Sequence, residues 1–432
     1  MTDTSKQLLI IGAGPKAMAI ASKNRVLSDL GFRVPRIHII ERRSVGANWT
    51  GDYGYTNGRL RLGTSPEKDV GFPYHSSAWG DKSKQVDQSM QAFSWQSYLV
   101  ATGKYSEWVD RGRPAPEHRV WASYLQWVST RLGPDTEIHA GDVRWIGRSG
   151  DRWQIRYREI EGADRELEGT GLVLTGPGQV RFDAPISVHD RLFDAESFWR
   201  AYPRLQQAES PTSVAIVGTG ETAASIAMAL VQGGNSRLAI DIVCPGGMTF
   251  SRGESYRENR VYSNPEHGNW DHLSEADRHS FITRTDRGVF SQYAHSVLDH
   301  SDNIRIVPGN LEKIDPGPGP GLTLRLIYSE KESSLAYDYI VLATGADLLG
   351  FFKKLLDPDS AEALRQEARL TNLEVSHVEG KIDFDLGVEG LSPRLHLPML
   401  SGIRQGPGFA NLSCLGRLSD RVLSSYVEKN EN

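Results

Sequence analysis

The sequence predicts an α/β protein with two Rossmann-like dinucleotide-binding domains and a small substrate-binding region. Two G-x-G-x-x-A turns carry this prediction, and each follows an apolar run typical of a buried strand and precedes a helical pattern. Their defining residues are Gly12, Gly14 and Ala17 in the first turn and Gly218, Gly220 and Ala223 in the second. The first Gly makes the bend, the second lets backbone approach a pyrophosphate, and the Ala lets helix pack on strand. One such turn is also found as a purely structural feature, but two favour two bound dinucleotides.

Length and composition are those of an ordinary globular protein. The 432 residues are enough for two or three domains, with 39% hydrophobic and 24% charged residues. A net charge of −5 gives no reason to expect nucleic acid or an anionic membrane as a partner. No apolar run approaches the roughly 18–20 residues that cross a bilayer. We therefore expect neither nucleic acid nor a membrane among the partners.

Cysteine and histidine spacing bears on two kinds of site. Cys244 and Cys414 do not form a C-x-x-C pair, which excludes a redox-active disulfide of the thioredoxin reductase type. His and Cys show no metal-ligand spacing, so the sequence predicts no metal centre. Residues 1–6 contain no apolar signal-peptide segment. Together with the two cysteines this predicts cytoplasmic localisation, and homo-oligomerisation is left open.

The first domain begins with a complete βαβ unit. A strand at Leu8–Ile11 leads through the first turn into a helix at Pro15–Leu30, and a second strand follows at Ile37–Ile40. Glu41, at the end of that strand, is placed to accept from a ribose hydroxyl of a dinucleotide. Charged residues also end strands without such a role, but the complete βαβ unit around Glu41 favours a ribose-binding role for it.

A long loop follows this unit. Residues 46–75 are rich in glycine, aromatic and turn-forming side chains, and a loop of this length in a compact domain is usually functional. Beyond it, periodicity predicts helices at 93–102 and 121–132 and strands at 152–157 and 171–175.

The second unit starts after a linker at 206–212. A helix at Glu221–Val231 and a strand at Leu238–Val243 complete it. No acid follows this strand, and Arg252 lies a few residues beyond it. An arginine in place of the acid suits the 2′-phosphate of NADPH, although Arg252 is equally compatible with a solvated surface. The apolar run Tyr339–Gly345 is predicted as the strand that returns to the first domain.

Several segments carry a resemblance to a known family. Residues 46–49 read GANW, residues 61–74 RLGTSPEKDVGFPY, residues 411–416 NLSCLG and residues 418–424 LSDRVLS. Together with the order of the two turns and a late A-T-G strand, these runs resemble the flavin-dependent N-hydroxylating monooxygenases, of the class B flavin monooxygenase type. The resemblance extends over essentially the whole chain. It is strongest toward the lysine N6-monooxygenases of mycobactin- and nocobactin-type siderophore pathways.

The resemblance implies an activity and two cofactors. It implies that residues 1–205 and 346–432 bind FAD and that residues 206–345 bind NADPH. NADPH reduces FAD, O₂ adds to it, and the C4a-hydroperoxide transfers oxygen to the side-chain amine of L-lysine. The product is N6-hydroxylysine for a hydroxamate siderophore. No catalytic side chain is implied, because the cofactor performs the oxygen transfer.

The resemblance also implies substrate contacts. Lys68 is matched to the lysine that holds the substrate carboxylate, Asn259 to an asparagine that bonds the substrate backbone, and Ser424 to a serine near that carboxylate. Trp49 is matched to an aromatic residue beside the flavin. Taken alone, Lys68 is also compatible with an exposed loop lysine, Asn259 with a turn residue and Ser424 with a helix cap.

Two departures from the family pattern bear on the substrate. Ornithine enzymes carry a Gln where this chain has Gly63, and an Asn where it has Asp286, which speaks against ornithine. L-Ornithine N5-hydroxylation stays open nevertheless, because one methylene changes binding by only about 1–3 kcal/mol. A Baeyer–Villiger enzyme is disfavoured by the absence of its signature. A dinucleotide-binding sensor without turnover is disfavoured because it needs no carboxylate site at Lys68.

Overall fold

The apolar run before Gly12 forms an inner strand of a seven-stranded sheet. This is seen in a computed structural model that describes residues 6–176, 178–180, 189–317 and 319–428. Most of the N-terminal segment considered for a signal peptide, residues 1–5, lies outside these ranges. The strands are β1 (Gln7–Ile11), β2 (Arg36–Glu41), β3 (Thr136–Ser149), β4 (Arg152–Glu159), β5 (Asp164–Gly169), β6 (Gly171–Leu174), β7 (Gln179–Val180), β8 (Leu192–Asp194), β9 (Thr212–Val217), β10 (Leu238–Cys244), β11 (Phe250–Ser251), β12 (Val289–Phe290), β13 (Ile304–Pro308), β14 (Asn310–Pro316), β15 (Leu322–Tyr328), β16 (Lys331–Tyr337), β17 (Tyr339–Leu342), β18 (Ala346–Asp347) and β19 (Arg394–His396).

The helices surround the sheets, and most predicted elements are present with small shifts at their ends. They are α1 (Pro15–Asp29), α2 (Ala47–Thr50), α3 (Ser83–Met90), α4 (Trp95–Ala101), α5 (Tyr105–Asp110), α6 (His118–Ser129), α7 (Ala195–Gln206), α8 (Glu221–Gln232), α9 (Tyr256–Ser263), α10 (Glu275–Thr285), α11 (Gln292–Leu298), α12 (Gly350–Leu355), α13 (Pro358–Glu367), α14 (Val375–Glu379), α15 (Gly402–Gln405) and α16 (Leu415–Leu423). Over the described ranges, every helix is too short or too polar to span a membrane.

The first sheet has the strand order β19-β6-β1-β2-β3-β4-β5. The pairings from β19 to β3 are parallel, and β3, β4 and β5 continue as an antiparallel meander. Helix α1 packs between this sheet and α16, so the end of the chain completes the core of the first unit. The first glycine turn lies at the carboxyl edge of the parallel strands, where this fold binds dinucleotides.

The second sheet has the order β13-β10-β9-β17-β8, and its pairings are all parallel. The second glycine turn joins β9 to α8. An antiparallel sheet of β14, β15 and β16 shares an apolar cluster with it. Two Rossmann-like units, each with a glycine turn after an inner parallel strand, confirm the predicted fold class.

Two strands bear on the predicted boundaries between the units. β17 pairs with β9 and β8 of the second sheet. The run lies inside the predicted bounds 206–345, so only its interpretation as a strand that returns to the first domain is wrong, because an apolar run indicates a buried strand but does not indicate which sheet supplies its neighbours. β8, where no strand was predicted, also belongs to the second sheet, although it precedes the predicted boundary at residue 206.

Candidate active site

A cavity of about 1880 Å³ is lined by residues of both units. The first glycine turn, the loop of residues 46–75 and the segment around Asn411 line it from the first unit. The beginning of α8, residues 252–254 and Asn259 line it from the second unit. A cavity of this size, bordered by the first glycine turn and by the start of α8, has room for ligands from both sides. Gly218 and Gly220 themselves are not among the described residues that line it.

The geometry of the first turn fits a pyrophosphate. Gly12 has a φ of +95°, and a Cβ there would lie 2.8 Å from Thr175 Oγ1. Gly14 has no heavy atom within 4 Å of its Cβ position, and no side chain caps the N-terminus of α1. Uncapped helix amides facing open space bind phosphate groups. Glu41 Oε2 accepts from the N–H of Ala13 at 2.9 Å and so ties the strand end to the turn.

The second turn repeats this arrangement. Gly218 has a φ of +138°, and a Cβ there would lie 2.3 Å from the carbonyl oxygen of Ala343. Gly220 faces open space, and α8 has no side-chain cap. Ala17 and Ala223 do not line the cavity; both are fully buried, where their small side chains let helix pack on strand. The residues present therefore fit a dinucleotide at each turn.

Arg252 lies at the junction of the two units. Its Nε donates to a carboxylate oxygen of Glu254 at 2.6 Å, and another guanidinium N–H donates to the carbonyl of Gly63. Its guanidinium lies 3.6 Å from Glu221, at the start of α8. Burial raises the pKa of Glu221, and the charge of Arg252 opposes that shift. The role of Arg252 in binding a 2′-phosphate stays a prediction. Its observed contacts link the first unit, through Gly63, to the second unit, through Glu221.

Lys68 and Asn259 meet at the cavity. Lys68 Nζ donates to Asn259 Oδ1 at 2.9 Å, and both residues line the cavity. The amide of Asn259 donates in turn to the carbonyl of Glu254 at 2.8 Å, which fixes its orientation. Burial lowers the pKa of Lys68, as does the nearby charge of Arg252. Two of the three predicted substrate residues are therefore adjacent, and they offer one cationic group and one amide.

Asp69 holds the loop that carries Lys68. Its carboxylate accepts from the N–H of Gly71 at 3.0 Å, the hydroxyl of Tyr74 at 2.8 Å and the N–H of Trp95 at 2.8 Å. Asp69 is almost fully buried, and burial raises its pKa to about 6. The two neighbouring residues therefore have different roles: Asp69 anchors the loop in the core, and Lys68 extends to the cavity.

Sequence reasoning missed the role of two charged residues in the cavity wall. Lys16 lies within the first glycine motif, just before Ala17; its ammonium donates to the carbonyl of Ala410 at 2.9 Å, and burial lowers its pKa to about 8. Asp286 was noted as a departure but given no role. Burial raises its pKa, and Arg252 and Lys16 oppose the shift. A charged residue inside a glycine turn was the available signal for Lys16.

Ser424 does not join this group. It follows α16, is exposed, and its hydroxyl donates to the carbonyl of Arg421 at 2.7 Å. It is absent from the cavity wall among the residues that the structure describes. The contact observed for Ser424 is therefore a local one at a helix end, and its substrate contact stays a prediction. Trp49, on α2, does line the cavity and is half-buried.

The two sheets, their glycine turns and the shared cavity define a class B flavin monooxygenase fold. The family described as L-lysine 6-monooxygenase/L-ornithine 5-monooxygenase matches residues 86–347. The L-lysine N6-monooxygenase MbtG of Mycolicibacterium paratuberculosis is 40% identical over 97% of this chain and 95% of its own. MbtG of Mycobacterium tuberculosis strain H37Rv is 38% identical over 97% and 95%.

Solved structures agree with this match. The lysine monooxygenase NbtG from Nocardia farcinica superposes with a TM-score of 0.83 at 39% identity, covering 96% of this chain and 98% of its own. The ornithine N-hydroxylase of Kutzneria sp. 744 has a TM-score of 0.74 at 16% identity, covering 98% and 99%, and supports the fold alone. The chain belongs to the L-lysine 6-monooxygenase/L-ornithine 5-monooxygenase family.

Proposed function

We propose that this enzyme hydroxylates the side-chain amine of L-lysine, using NADPH, O₂ and FAD, and supplies N6-hydroxylysine for a hydroxamate siderophore. The observation that carries the proposal is the Lys68–Asn259 pair in a cavity bordered by the first glycine turn and by the start of α8, which follows the second turn. Relatives of 38–40% identity over nearly the full length are lysine N6-monooxygenases, which supports lysine over ornithine.

The cavity offers a place for each end of a free amino acid. Lys68 supplies the positive charge for the carboxylate, and Asn259 holds the ammonium of Lys68 in place through its carbonyl oxygen. Asp286 supplies the negative charge for the α-ammonium. An ammonium beside Asp286 would offset the burial that raises the pKa of its carboxyl.

The reacting amine must be neutral, and the cavity favours that form. A lysine side chain in water has a pKa near ~10.4. Burial lowers the pKa of Lys16 in the cavity wall to about 8. Desolvation of the same kind would act on the alkylammonium of a substrate bound against this wall and would promote loss of its proton.

The cofactors, when bound, supply hydride transfer and oxygen transfer. Gly12, Gly14, Glu41 and Trp49 would hold FAD, as expected for residues 1–205 and 346–432 apart from β8. Gly218, Gly220 and the start of α8 would hold NADPH in the second unit, to which β8 is added. Both cysteines are buried and free, and we propose that the enzyme acts in the cytoplasm.

A substrate panel tests the proposal. FAD-loaded enzyme is given L-lysine, D-lysine, L-ornithine and Nε-acetyl-L-lysine, and hydroxylated product is quantified by mass spectrometry rather than by NADPH loss. We expect N6-hydroxylysine from L-lysine, with kcat/KM about tenfold or more above L-ornithine, the effect of one methylene. A higher kcat/KM for ornithine or the acetylated lysine, or NADPH oxidation without hydroxylated product, would overturn it.

A further inference from the structure

Three potential metal ligands meet on the first sheet, outside the residues that line the cavity. They are His38 on β2 and Glu137 and His139 on β3. β2 and β3 pair in parallel, with His38 opposite Glu137 and Ile40 opposite His139. Side chains two positions apart on a strand point to the same face, so Glu137 and His139 both lie beside His38.

The ligand atoms converge closely. His38 Nδ1 lies 3.0 Å from His139 Nε2. Glu137 Oε2 lies 3.7 Å from each of these nitrogens. Around a tetrahedral Zn²⁺, with bonds of roughly 2.0–2.2 Å, ligand atoms are separated by about 3.3–3.5 Å. Small side-chain rotations of a few tenths of an ångström would therefore give the separations that the ion requires.

We propose that His38, Glu137 and His139 form a Zn²⁺ site. Two imidazoles and one carboxylate are a donor set that Zn²⁺ prefers. His38 is buried, whereas Glu137 and His139 are partly exposed. Solvent can therefore reach the ion and complete its coordination with water. This site is independent of the proposed hydroxylation and of the dinucleotide turns.

The neighbouring groups orient the ligands. The hydroxyl of Tyr157 lies 3.3 Å from His139 Nδ1, so the ring nitrogen that faces away from the cluster has its own partner. Such outer contacts are typical of metal-ligating histidines. Arg36 pairs with the other carboxylate oxygen of Glu137, Oε1, which leaves Oε2 toward the imidazoles.

Without metal, the 3.0 Å contact is an N–H···N hydrogen bond between the imidazoles. Binding requires only that the imidazole donating in this contact move its proton to its other ring nitrogen, which frees a lone pair without net proton loss.

The experiment measures zinc directly. Tag-free, FAD-loaded enzyme is treated with chelator, dialysed, and titrated with ZnCl₂ at pH 7.5 by calorimetry, with bound zinc counted by elemental analysis. The variants are His139→Ala and Glu137→Gln, which alter partly exposed positions. The matched control is His279→Ala, because exposed His279 is paired with one acid, Glu275, at 3.7 Å and is not part of the cluster.

We expect about one Zn²⁺ per chain in the wild type and the control, and at least about a tenfold weaker affinity in both cluster variants. Zinc should also raise the Tm of the wild type and of the control, but not of His139→Ala, because the ion joins two strands. FAD content and Tm without zinc establish that the variants are folded. Equal zinc affinity in all four proteins, or no zinc uptake by the wild type, would overturn the proposal.

Discussion

Lys68 Nζ donates a 2.9 Å hydrogen bond to Oδ1 of Asn259, 191 residues later in the chain. Lys68 belongs to the loop of the first unit, whereas Asn259 lies on α9, beyond the second nucleotide-binding strand. The pair therefore exists only when both parts of the chain are docked at the cavity. The substrate site and the two dinucleotide turns are consequently assembled by the same packing.

Replacing Lys68 with Ala should raise the KM for L-lysine about 10- to 100-fold, because a hydrogen bond to a charged group contributes about 1.5–3 kcal/mol. The rate of flavin reduction by NADPH should change little. Hydroxylamine formation measured against substrate concentration gives the KM, and stopped-flow absorbance gives the reduction rate. Equal losses in both would assign Lys68 to the flavin or the fold instead. With cadaverine, which lacks the carboxylate, the variant and the wild type should behave alike.

Two substitutions of Asn259 should have unequal effects. Asn259→Ala removes the acceptor that orients Lys68. Asn259→Asp places a negative charge 2.9 Å from the Lys68 ammonium, where it neutralises the charge that attracts the substrate carboxylate. We expect the KM for L-lysine to rise in the order wild type, Asn259→Ala, Asn259→Asp. Steady-state kinetics on variants of matched FAD content measure this order, and the reverse order would contradict the role of Lys68.

Asp286→Asn keeps the shape of the side chain and removes its charge. The KM for L-lysine should rise about tenfold through loss of a charge-assisted contact to the α-ammonium. 6-Aminohexanoate keeps the carboxylate and the reacting amine but lacks the α-amine, so its KM should be unaffected. An equal rise for both substrates would show that Asp286 acts on the cavity as a whole, through Lys16 or Arg252.

Arg252→Met separates two roles for this arginine. Loss of the guanidinium leaves Glu221 without its cation at the start of α8. This is beside the place where the pyrophosphate of NADPH or NADH would bind. We therefore expect the KM for NADPH and the KM for NADH to rise by similar factors. A rise confined to NADPH would instead establish the 2′-phosphate contact predicted from the sequence.

Asp69 should contribute a measurable pH dependence to stability. Burial raises the pKa of Asp69 to about 6 in the folded state, against an ordinary value of 3.8, so the folded state binds the proton more tightly. The contribution of Asp69 to the free energy of unfolding is therefore largest below about pH 4. It falls by at most about 3 kcal/mol as the pH rises to about 6. The difference in free energy of unfolding between wild type and Asp69→Asn, measured in urea, should fall over this window. Parallel curves for the two proteins would contradict the raised pKa.

The short-range features were accessible from the sequence. A glycine turn, the strand before it and the helix after it are encoded within a window of about twenty residues, so both units and the residues that line the turns could be predicted. Lys68 was found because its loop resembles that of the N-hydroxylating monooxygenases. Ser424 was matched through an equally local motif, yet its hydroxyl bonds within its own helix end.

Long-range placement came only from the tertiary structure. The sequence by itself determined two nucleotide-binding units, because backbone geometry and burial periodicity are local properties, and the family resemblance of residues 61–74 singled out Lys68. Packing decided that β17 joins the second sheet, that Arg252 pairs with Glu221, and that His38 meets Glu137 and His139. These contacts join residues far apart in the chain, and their partners are chosen by which surfaces dock, a property that no short segment contains.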